Sequence, residues 1–286
     1  MDYIKLFDKK IYFSQKCGLC LNKLFPDLYK DNKRSVTNEL FIDLKHIKTA
    51  SQIHKRPQLT ALKQNGEEYL INDENKNNKS IAEISNYNLN FIKTDTPIFY
   101  VKPALRFLLQ LYLEKKLNGI SLHSSAIEYK NKIILFCGKN NAGKTTISSK
   151  LADSDSNINL LSNDTILLKT SGTKTEICSH PFFEKFFLFN KIDCIIFLNP
   201  VKLYSIKQKN SINSELKPAS QKESIINLLQ NLTYCYYDDS IMEKILKNII
   251  KINNNIKYKF SYTYIQNKNF NHINKLKIKI NNLLFS

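Results

Sequence analysis

Apolar residues in the first hundred positions recur in short runs that alternate loosely with polar ones. Alternation of this kind is typical of half-buried strands, and it predicts strands at residues 40–44, 68–71 and 89–92. The polar run at 72–78 predicts a loop between two of them. No catalytic constellation is visible in this part of the sequence, and we assign residues 1–102 to an accessory α+β region.

A helical spacing of apolar residues begins after Pro103. Leucine and tyrosine side chains recur every three or four positions across residues 104–116, which predicts a helix that Pro103 opens and an Asn-Gly dipeptide closes. The β-rich runs 120–128 and 132–137 then predict a hairpin, and this hairpin leads directly into a glycine-containing loop.

The rest of the chain alternates between the two patterns. Helical spacing predicts helices at residues 145–152, 220–232 and 240–252. Strand-like alternation or short apolar runs predict strands at residues 158–161, 165–169, 175–178, 194–198, 256–265 and 275–280. Together these elements predict an α/β domain over residues 103–286, with a domain boundary near residue 102.

Composition and charge narrow the class of protein. A chain of 286 residues with 42% hydrophobic and 24% charged residues is typical of a globular protein. The net charge of +18 favours anionic partners, such as nucleotides, acidic peptides, nucleic acids or a lipid surface. The lysines are scattered, however, and no RNA-binding aromatic signature or recognition helix is visible, which argues against nucleic acids.

The sequence does not predict a membrane protein. Charged residues interrupt the most apolar segment, 182–200, so no run reaches the about 18 apolar residues that a spanning helix needs. The first residues lack the apolar core and cleavage site of a secretory signal. We therefore expect a cytoplasmic protein without a membrane span, and leave open whether it forms a homo-oligomer.

Among the six cysteines, only Cys17 and Cys20 have the spacing of metal ligands. His46 and His54 would be needed to complete a set of four zinc ligands, since no second pair follows at finger-like spacing. Reduced, unpaired thiols are the preferred interpretation in a cytoplasmic protein.

Residues 138–145 match the phosphate-binding motif G-x-x-x-x-G-K-[ST], or Walker A, without mismatch. The motif follows a predicted buried strand and opens a predicted helix, which is the context that it requires. Glycines let backbone N–H groups face the phosphates, Lys144 supplies a positive charge, and Thr145 offers a hydroxyl to Mg²⁺. We therefore predict ATP and Mg²⁺ as cofactors. The predicted nucleotide-binding residues are Gly138, Lys139, Asn140, Asn141, Ala142, Gly143, Lys144, Thr145 and Thr146.

A phosphate loop also needs a carboxylate that holds the metal. Asp164 comes just after the apolar run 158–161, and a strand in that position would deliver it to the mouth of the loop. A solvent-exposed turn is the alternative, because Ser-Asn-Asp is good turn chemistry. Thr145 and Asp164 are thus the predicted metal ligands.

The tetrapeptide Asn190-Lys191-Ile192-Asp193 spells the guanine-reading N-K-x-D of GTPases. No Asp-x-x-Gly separates it from the phosphate loop, and an apolar run follows it. Chance is the preferred source in a chain so rich in Asn, Lys and Ile, and ATP is preferred over GTP.

Three segments, at residues 122–126, 138–145 and 161–164, together resemble the HPr kinase family. They are most similar to the HPr kinase-related proteins found with modified-peptide biosynthesis, and the resemblance covers about residues 103–265. It implies a P-loop core of the HPr kinase/PEP carboxykinase type, and an ATP-dependent kinase that phosphorylates a Ser/Thr hydroxyl of a peptide or protein. The catalytic residues that it implies are His123, Lys144, Asn163 and Asp164.

Two of these positions carry alternatives. His123 either acts near the phosphates or is a core histidine on a buried strand. The family has an Asp-Asp pair, one carboxylate for the acceptor hydroxyl and one for the metal, where this chain has Asn163-Asp164. An amide is a very weak base, although phosphoryl transfer depends largely on positioning and electrostatics.

The sequence is compatible with three functions. The first is the peptide or protein kinase, although HPr itself is not the expected substrate, because the glycine- and arginine-rich signature of HPr kinase/phosphorylases is missing. The second is a nucleotide-binding module without phosphoryl transfer, which serves as scaffold or regulator in peptide maturation. The third is a small-molecule kinase whose pocket is shaped by residues 1–102.

Overall fold

The computed structural model describes the chain almost continuously after residue 100 and as a series of strands before it. The described residues are 2–13, 29–30, 40–43, 47–48, 59–64, 68–73, 79–86, 88–92, 96–97, 100–181, 186–201, 214–233, 239–265 and 271–285. The chain forms two units, one comprising residues 1–120, 178–188 and 234–245, the other residues 121–177, 189–233 and 246–286. The functional division at residue 102 stays a prediction.

The first unit is built around strands that the alternation of apolar residues explains. Its elements are β1 (Asp2–Leu6), β2 (Lys9–Phe13), β3 (Tyr29–Lys30), β4 (Leu40–Asp43), β5 (Ile47–Lys48), β6 (Leu59–Lys63), β7 (Tyr69–Asp73), β8 (Lys79–Ser85), β9 (Asn88–Phe91), β10 (Thr96–Pro97) and α1 (Val101–Lys115). Eight strands form a sheet in the order β3-β1-β2-β4-β9-β8-β7-β6, and β10 pairs with β5. In the antiparallel hairpin of β1 and β2, Ile4, Leu6, Ile11 and Phe13 are buried, because alternate side chains of a strand share one face.

A larger mixed sheet follows α1 along the chain. Its elements and the helices around it are β11 (Gly119–Tyr129), β12 (Lys132–Cys137), α2 (Lys144–Ser154), β13 (Ile158–Ser162), β14 (Thr165–Ser171), β15 (Lys174–Ser179), β16 (Leu188–Phe189), β17 (Cys194–Val201), β18 (Glu215–Pro218), α3 (Gln221–Gln230), α4 (Asp239–Asn255), β19 (Tyr258–Ile265) and α5 (Asn271–Phe285). The main path of the sheet is β16-β15-β14-β11-β12-β17-β19-β18, and β13 also pairs with β11. β11 and β12 are antiparallel, whereas β12, β17 and β19 are parallel neighbours.

The core of the second unit joins this sheet to two helices. Ile134 and Phe136 of β12 and Ile196 of β17 belong to one buried cluster with Leu151 of α2 and Leu276 of α5. Full burial of such a side chain contributes about 1.5–3 kcal/mol. The two elements that flank the glycine loop, β12 and α2, are therefore both held in place by this core.

Most predicted elements are confirmed, and the fold is a mixed α/β fold. Helices α1 to α4 coincide with the predicted helices to within one turn at either end. The strands predicted around β4, β7, β9, β11 to β15, β17 and β19 are present. The predicted loop at 72–78 begins inside β7, and its remainder, 74–78, lies outside the described residues, as does the proposed zinc set of Cys17, Cys20, His46 and His54.

One predicted strand is wrong. Residues 275–280 belong to the middle of helix α5. Lysines alternate there with apolar residues, which gives a strand-like pattern over six positions. Over the longer segment, buried Ile273, Leu276 and Ile280 recur at spacings of three and four residues, which is the spacing of one helix face.

Helix α4, with 17 residues, is among the longest helices described. A helix that spans a bilayer needs about 20 predominantly apolar residues. Within the described ranges, no helix is long and apolar enough to cross a membrane.

Candidate functional site

The loop between β12 and α2 depends on its two glycines for different reasons. Gly143 has a φ of 76°, in the left-handed region, and is the N-cap residue of α2. A Cβ on Gly138 would lie 2.9 Å from the Ala142 Cβ and 3.0 Å from the Leu198 carbonyl oxygen. Backbone conformation therefore requires glycine at the end of the loop, and close packing requires it at the beginning.

The first turn of α2 presents backbone donors at the end of the loop. The N–H of Ile147 donates to the Gly143 carbonyl at 2.8 Å and closes the first turn. The N–H groups of Lys144, Thr145 and Thr146 consequently have no partner within the helix. Since the positive end of the helix dipole lies at the same place, this turn has the arrangement that binds phosphate at helix N-termini.

The buried Lys144 side chain folds back over the loop. Its ammonium donates to the carbonyl oxygens of Gly138 at 2.7 Å and Lys139 at 3.2 Å. Burial lowers the pKa of this ammonium, and the nearby Cys137 and Asp164 partly oppose the shift. A partly desolvated cation gains free energy from an anionic ligand, so the loop holds a charge suited to a phosphate.

A hydrogen bond joins the start of α2 to the turn after β13. Thr145 Oγ1 donates to the backbone carbonyl of Asn163 at 2.8 Å. Asn163 and Asp164 are the two residues between β13 and β14, and both strands neighbour β11. The turn separates the part of β11 that pairs with β13 from the part that pairs with β14. Irregular residues at such interruptions of strand pairing often carry function.

His123 of β11 contacts both the backbone carbonyl and the carboxylate of Asp164. The His123 Nδ1 lies 2.9 Å from the Asp164 carbonyl oxygen and 3.1 Å from Oδ1 of its carboxylate. The N–H of Ser124 donates to the same carbonyl at 3.0 Å, and Thr165 Oγ1 donates to Oδ2 at 3.2 Å. The Asp164 side chain is still 47% exposed, so its backbone is fixed while its carboxylate remains accessible to a ligand.

The predicted residues thus gather at one place. His123, Lys144, Thr145, Asn163 and Asp164 are linked by these hydrogen bonds or by the charge interaction between Lys144 and Asp164. Of the remaining predicted side chains on the same loop and first turn, Ala142 is buried, whereas the others are exposed, at Lys139, Asn140, Asn141 and Thr146.

Comparison with known proteins adds little to this geometry. No protein-family model and no curated protein matches the chain. Among solved structures, the chain is similar to the HPr(Ser) kinase/phosphatase from Coxiella burnetii. The identity is 11% and the TM-score 0.31, and the match covers 57% of this chain and 89% of the other. A likeness at this TM-score is too weak to support an argument about function.

The GTPase-like tetrapeptide lies at the other end of the strands. Asp193 Oδ2 accepts the N–H of Ile133 at 2.9 Å, at the beginning of β12, and both Lys132 and Lys191 lie within 3.5 Å of its carboxylate. The glycine loop follows the opposite end of β12. Asp193 therefore fixes the start of a strand and is not placed to read a base bound at the loop.

Sequence reasoning missed Asn231, which follows α3 and is buried. Its Oδ1 accepts the N–H of Gly138 at 2.9 Å, and its backbone carbonyl accepts the N–H of His123 at 2.8 Å. Its Nδ2 donates to the Asn227 carbonyl at 2.7 Å. Asn231 therefore ties the beginning of the loop to the histidine strand, and no motif in the sequence marks it.

Three hydroxyl groups that were not predicted from the sequence donate to carbonyls of the loop and of α2. Ser125 of β11 donates from its hydroxyl to the Lys144 carbonyl at 3.0 Å, and Ser148 of α2 does the same at 3.0 Å. The hydroxyl of Tyr264 on β19 donates to the Ala142 carbonyl. These side chains satisfy loop and helix carbonyls without using the N–H groups of the first turn of α2, which face a ligand.

The donors present fit a magnesium nucleotide. Among the described residues no group of three or more His, Cys, Asp and Glu side chains is arranged to hold a metal alone. Mg²⁺ is commonly held by only one or two carboxylates together with substrate phosphates and water. Asp164 and the Thr145 hydroxyl are of that kind, and the loop N–H groups and Lys144 suit the phosphates.

Proposed function

We propose that this protein binds Mg-ATP at the glycine loop and transfers the γ-phosphoryl group to a Ser or Thr hydroxyl of a peptide or protein. One observation carries the proposal. The hydrogen bond between Thr145 and Asn163 joins the phosphate-binding turn of α2 to the segment that bears Asp164. Phosphate donors, a cation and a carboxylate therefore converge within two adjacent segments of the chain.

The phosphate-binding roles follow from charge and hydrogen bonding. The N–H groups at the start of α2 bind phosphate oxygens, and Lys144 exchanges its carbonyl partners for the β- and γ-phosphates. Thr145 and Asp164 hold Mg²⁺, which neutralises charge on the phosphates when it is bound. These residues orient the nucleotide and stabilise the charge that develops during transfer.

The acceptor side is less complete. Transfer forms a bond between the acceptor oxygen and the γ-phosphorus and breaks the bond between that phosphorus and the β–γ bridging oxygen, so that ADP leaves and the acceptor proton passes to the Asp164 carboxylate. The Asn163 amide does not accept a proton near neutral pH. Asp164 is the one carboxylate at these two positions. It therefore has to serve both as a ligand of the metal and as the base for the acceptor hydroxyl. We therefore expect slow transfer compared with an enzyme that has two carboxylates.

The test is transfer of label from γ-³²P-ATP, with Mg²⁺, to an array of Ser- and Thr-containing peptides. We expect saturable binding of Mg-ATP and labelling that is lost in Asp164→Asn, because the amide neither holds the metal well nor accepts a proton. Failure of the wild type to bind Mg-ATP at millimolar concentration would overturn the proposal. Binding without label transfer would leave the nucleotide-binding module as the function.

Asn163 specifically favours that second candidate, a module that binds ATP without transferring phosphate. Asn163→Asp tests whether the missing carboxylate limits the reaction, because the replacement is nearly isosteric and Thr145 donates to the backbone carbonyl at this position. We expect the variant to raise the single-turnover rate of ATP consumption about tenfold or more, since a positioned general base contributes typically about 10²–10⁴-fold. Asn159→Asp on the exposed part of β13 is the matched control, and equal rates in both variants would contradict the role of position 163.

A further inference from the structure

We propose that Tyr264 is a positioning residue of the phosphate loop. Its hydroxyl holds the Ala142 carbonyl and so orients the Gly143 N–H for an anionic ligand. This inference rests on the proposed nucleotide binding. Tyr264 lies on β19, far from the loop in sequence, and belongs to none of the sequence motifs around the loop.

The hydroxyl of Tyr264 makes two contacts with the loop. It donates to the Ala142 carbonyl, and a Cβ built on Gly143 would lie 2.9 Å from the same oxygen. The N–H of Ala142 donates to the Lys139 carbonyl at 3.0 Å. Both the N–H and the carbonyl of Ala142 are therefore hydrogen-bonded, which fixes the peptide between Ala142 and Gly143. Tyr264 therefore occupies the space that a side chain at position 143 would need.

A fixed carbonyl determines where the next N–H points. In a trans peptide the C=O of one residue and the N–H of the following residue lie on opposite sides of the chain. With the Ala142 carbonyl bonded to Tyr264, the Gly143 N–H points away from β19. Rotation of this peptide would reverse both groups, and the loop would then present an oxygen where a phosphate needs a donor.

The Tyr264 ring is itself held firmly. It stacks on Tyr262 at 5.2 Å between centroids and on His272 of α5 at 4.7 Å, with interplanar angles of 15° and 17°. Tyr264 is 1% exposed, and burial raises the pKa of its hydroxyl to about 12. It consequently remains a protonated donor throughout the neutral range.

Tyr262 offers a matched control. It lies on the same strand, is equally buried, and burial raises its pKa to about 12 as well. Its hydroxyl, however, donates to the His272 carbonyl at 2.7 Å and not to the loop. Tyr264→Phe and Tyr262→Phe therefore each remove one buried hydroxyl from the same stack, and only the first change reaches the phosphate loop.

The experiment compares both variants with the wild type by titration with a fluorescent ATP analogue and by thermal melting. We expect the two variants to melt at similar temperatures. The dissociation constant should rise about tenfold in Tyr264→Phe, which is the effect of one lost hydrogen bond on binding, and by less than about twofold in Tyr262→Phe. Equal dissociation constants in the two variants would overturn the positioning role while leaving nucleotide binding intact.

A second measurement does not depend on nucleotide. Amide hydrogen exchange of the peptide covering residues 139–147 is compared in the ligand-free proteins, because exchange reports local opening. We expect faster exchange in Tyr264→Phe alone. Failure of the wild type to bind the ATP analogue would overturn the proposed function. Unchanged exchange in Tyr264→Phe would instead overturn the positioning role of Tyr264, whether or not nucleotide binds.

Discussion

Lys144→Met is expected to weaken the binding of Mg-ATP about 100-fold, which corresponds to about 2.7 kcal/mol. The wild-type ammonium binds the phosphates through charge-assisted hydrogen bonds, and methionine fills a similar volume without a charge or a donor. The same change is expected to alter the free energy of unfolding by no more than about 1 kcal/mol. Loss of the bonds to Gly138 and Lys139 is offset by removal of a partly desolvated charge.

The pH dependence of stability provides an independent check on this variant. Burial lowers the pKa of Lys144 in the folded state below its unfolded value of 10.5. The charged ammonium therefore costs the folded protein stability at neutral pH, and this cost disappears as the pH rises toward 10.5. We expect the wild type to gain stability relative to Lys144→Met over that pH interval, measured by denaturant unfolding.

Lys150→Met on the same helix is the control for charge alone. Lys150 is half exposed and pairs loosely with Asp153 at 3.9 Å. We expect this variant to retain both the affinity for Mg-ATP and the pH dependence of the wild type. Wild-type affinity in Lys144→Met, measured by titration calorimetry, would show that the loop does not bind phosphates in the proposed way.

Gly138→Ala is expected to lower both the melting temperature and nucleotide binding. A Cβ at this position would meet the Ala142 Cβ at 2.9 Å and the Leu198 carbonyl oxygen at 3.0 Å, and neither atom is at the end of a flexible side chain. Overpacking of this kind costs about 1–3 kcal/mol, or a fall in melting temperature of about 3–10 °C for a protein of this size. Because the loop must move to relieve the contact, the affinity for Mg-ATP falls as well.

Gly172→Ala separates this effect from a general intolerance of alanine. Gly172 lies between β14 and β15 with a φ of 59°, and a Cβ there would meet nothing within 4 Å. Its substitution therefore costs only the left-handed conformation, about 1 kcal/mol, and leaves nucleotide binding unchanged. Wild-type affinity for Mg-ATP in Gly138→Ala, as is expected of Gly172→Ala, would contradict the packing explanation.

The elements around the loop were predictable because their signals are local. The motif, the buried strand before it and the helix after it lie within about twenty consecutive residues, so short-range patterns are sufficient. Strands β1 and β2 were not predicted, although Ile4 and Leu6, then Ile11 and Phe13, alternate as strands require. Both runs are short, with only two alternating apolar residues in each, which weakened the pattern.

Short-range patterns do not predict helix α5 or the residues that hydrogen-bond to the loop. Alternating lysines over residues 275–280 match a strand, and only the spacing of buried residues across the whole helix corrects the assignment. Asn231 and Tyr264 contact Gly138 and Ala142 across 93 and 122 residues of sequence. Such contacts depend on the order of strands in the sheet, which no local pattern contains.

The turn between β13 and β14 restricts how this site can change over evolution. Both strands line the same neighbour, β11, and Asn163 and Asp164 are the whole connection between them. An insertion or deletion of one residue there would shift β14 by one position along β11 and turn each of its side chains to the opposite face of the sheet. New chemistry at this site can therefore arise by substitution of the two side chains, whereas any change in the length of the turn would displace β14.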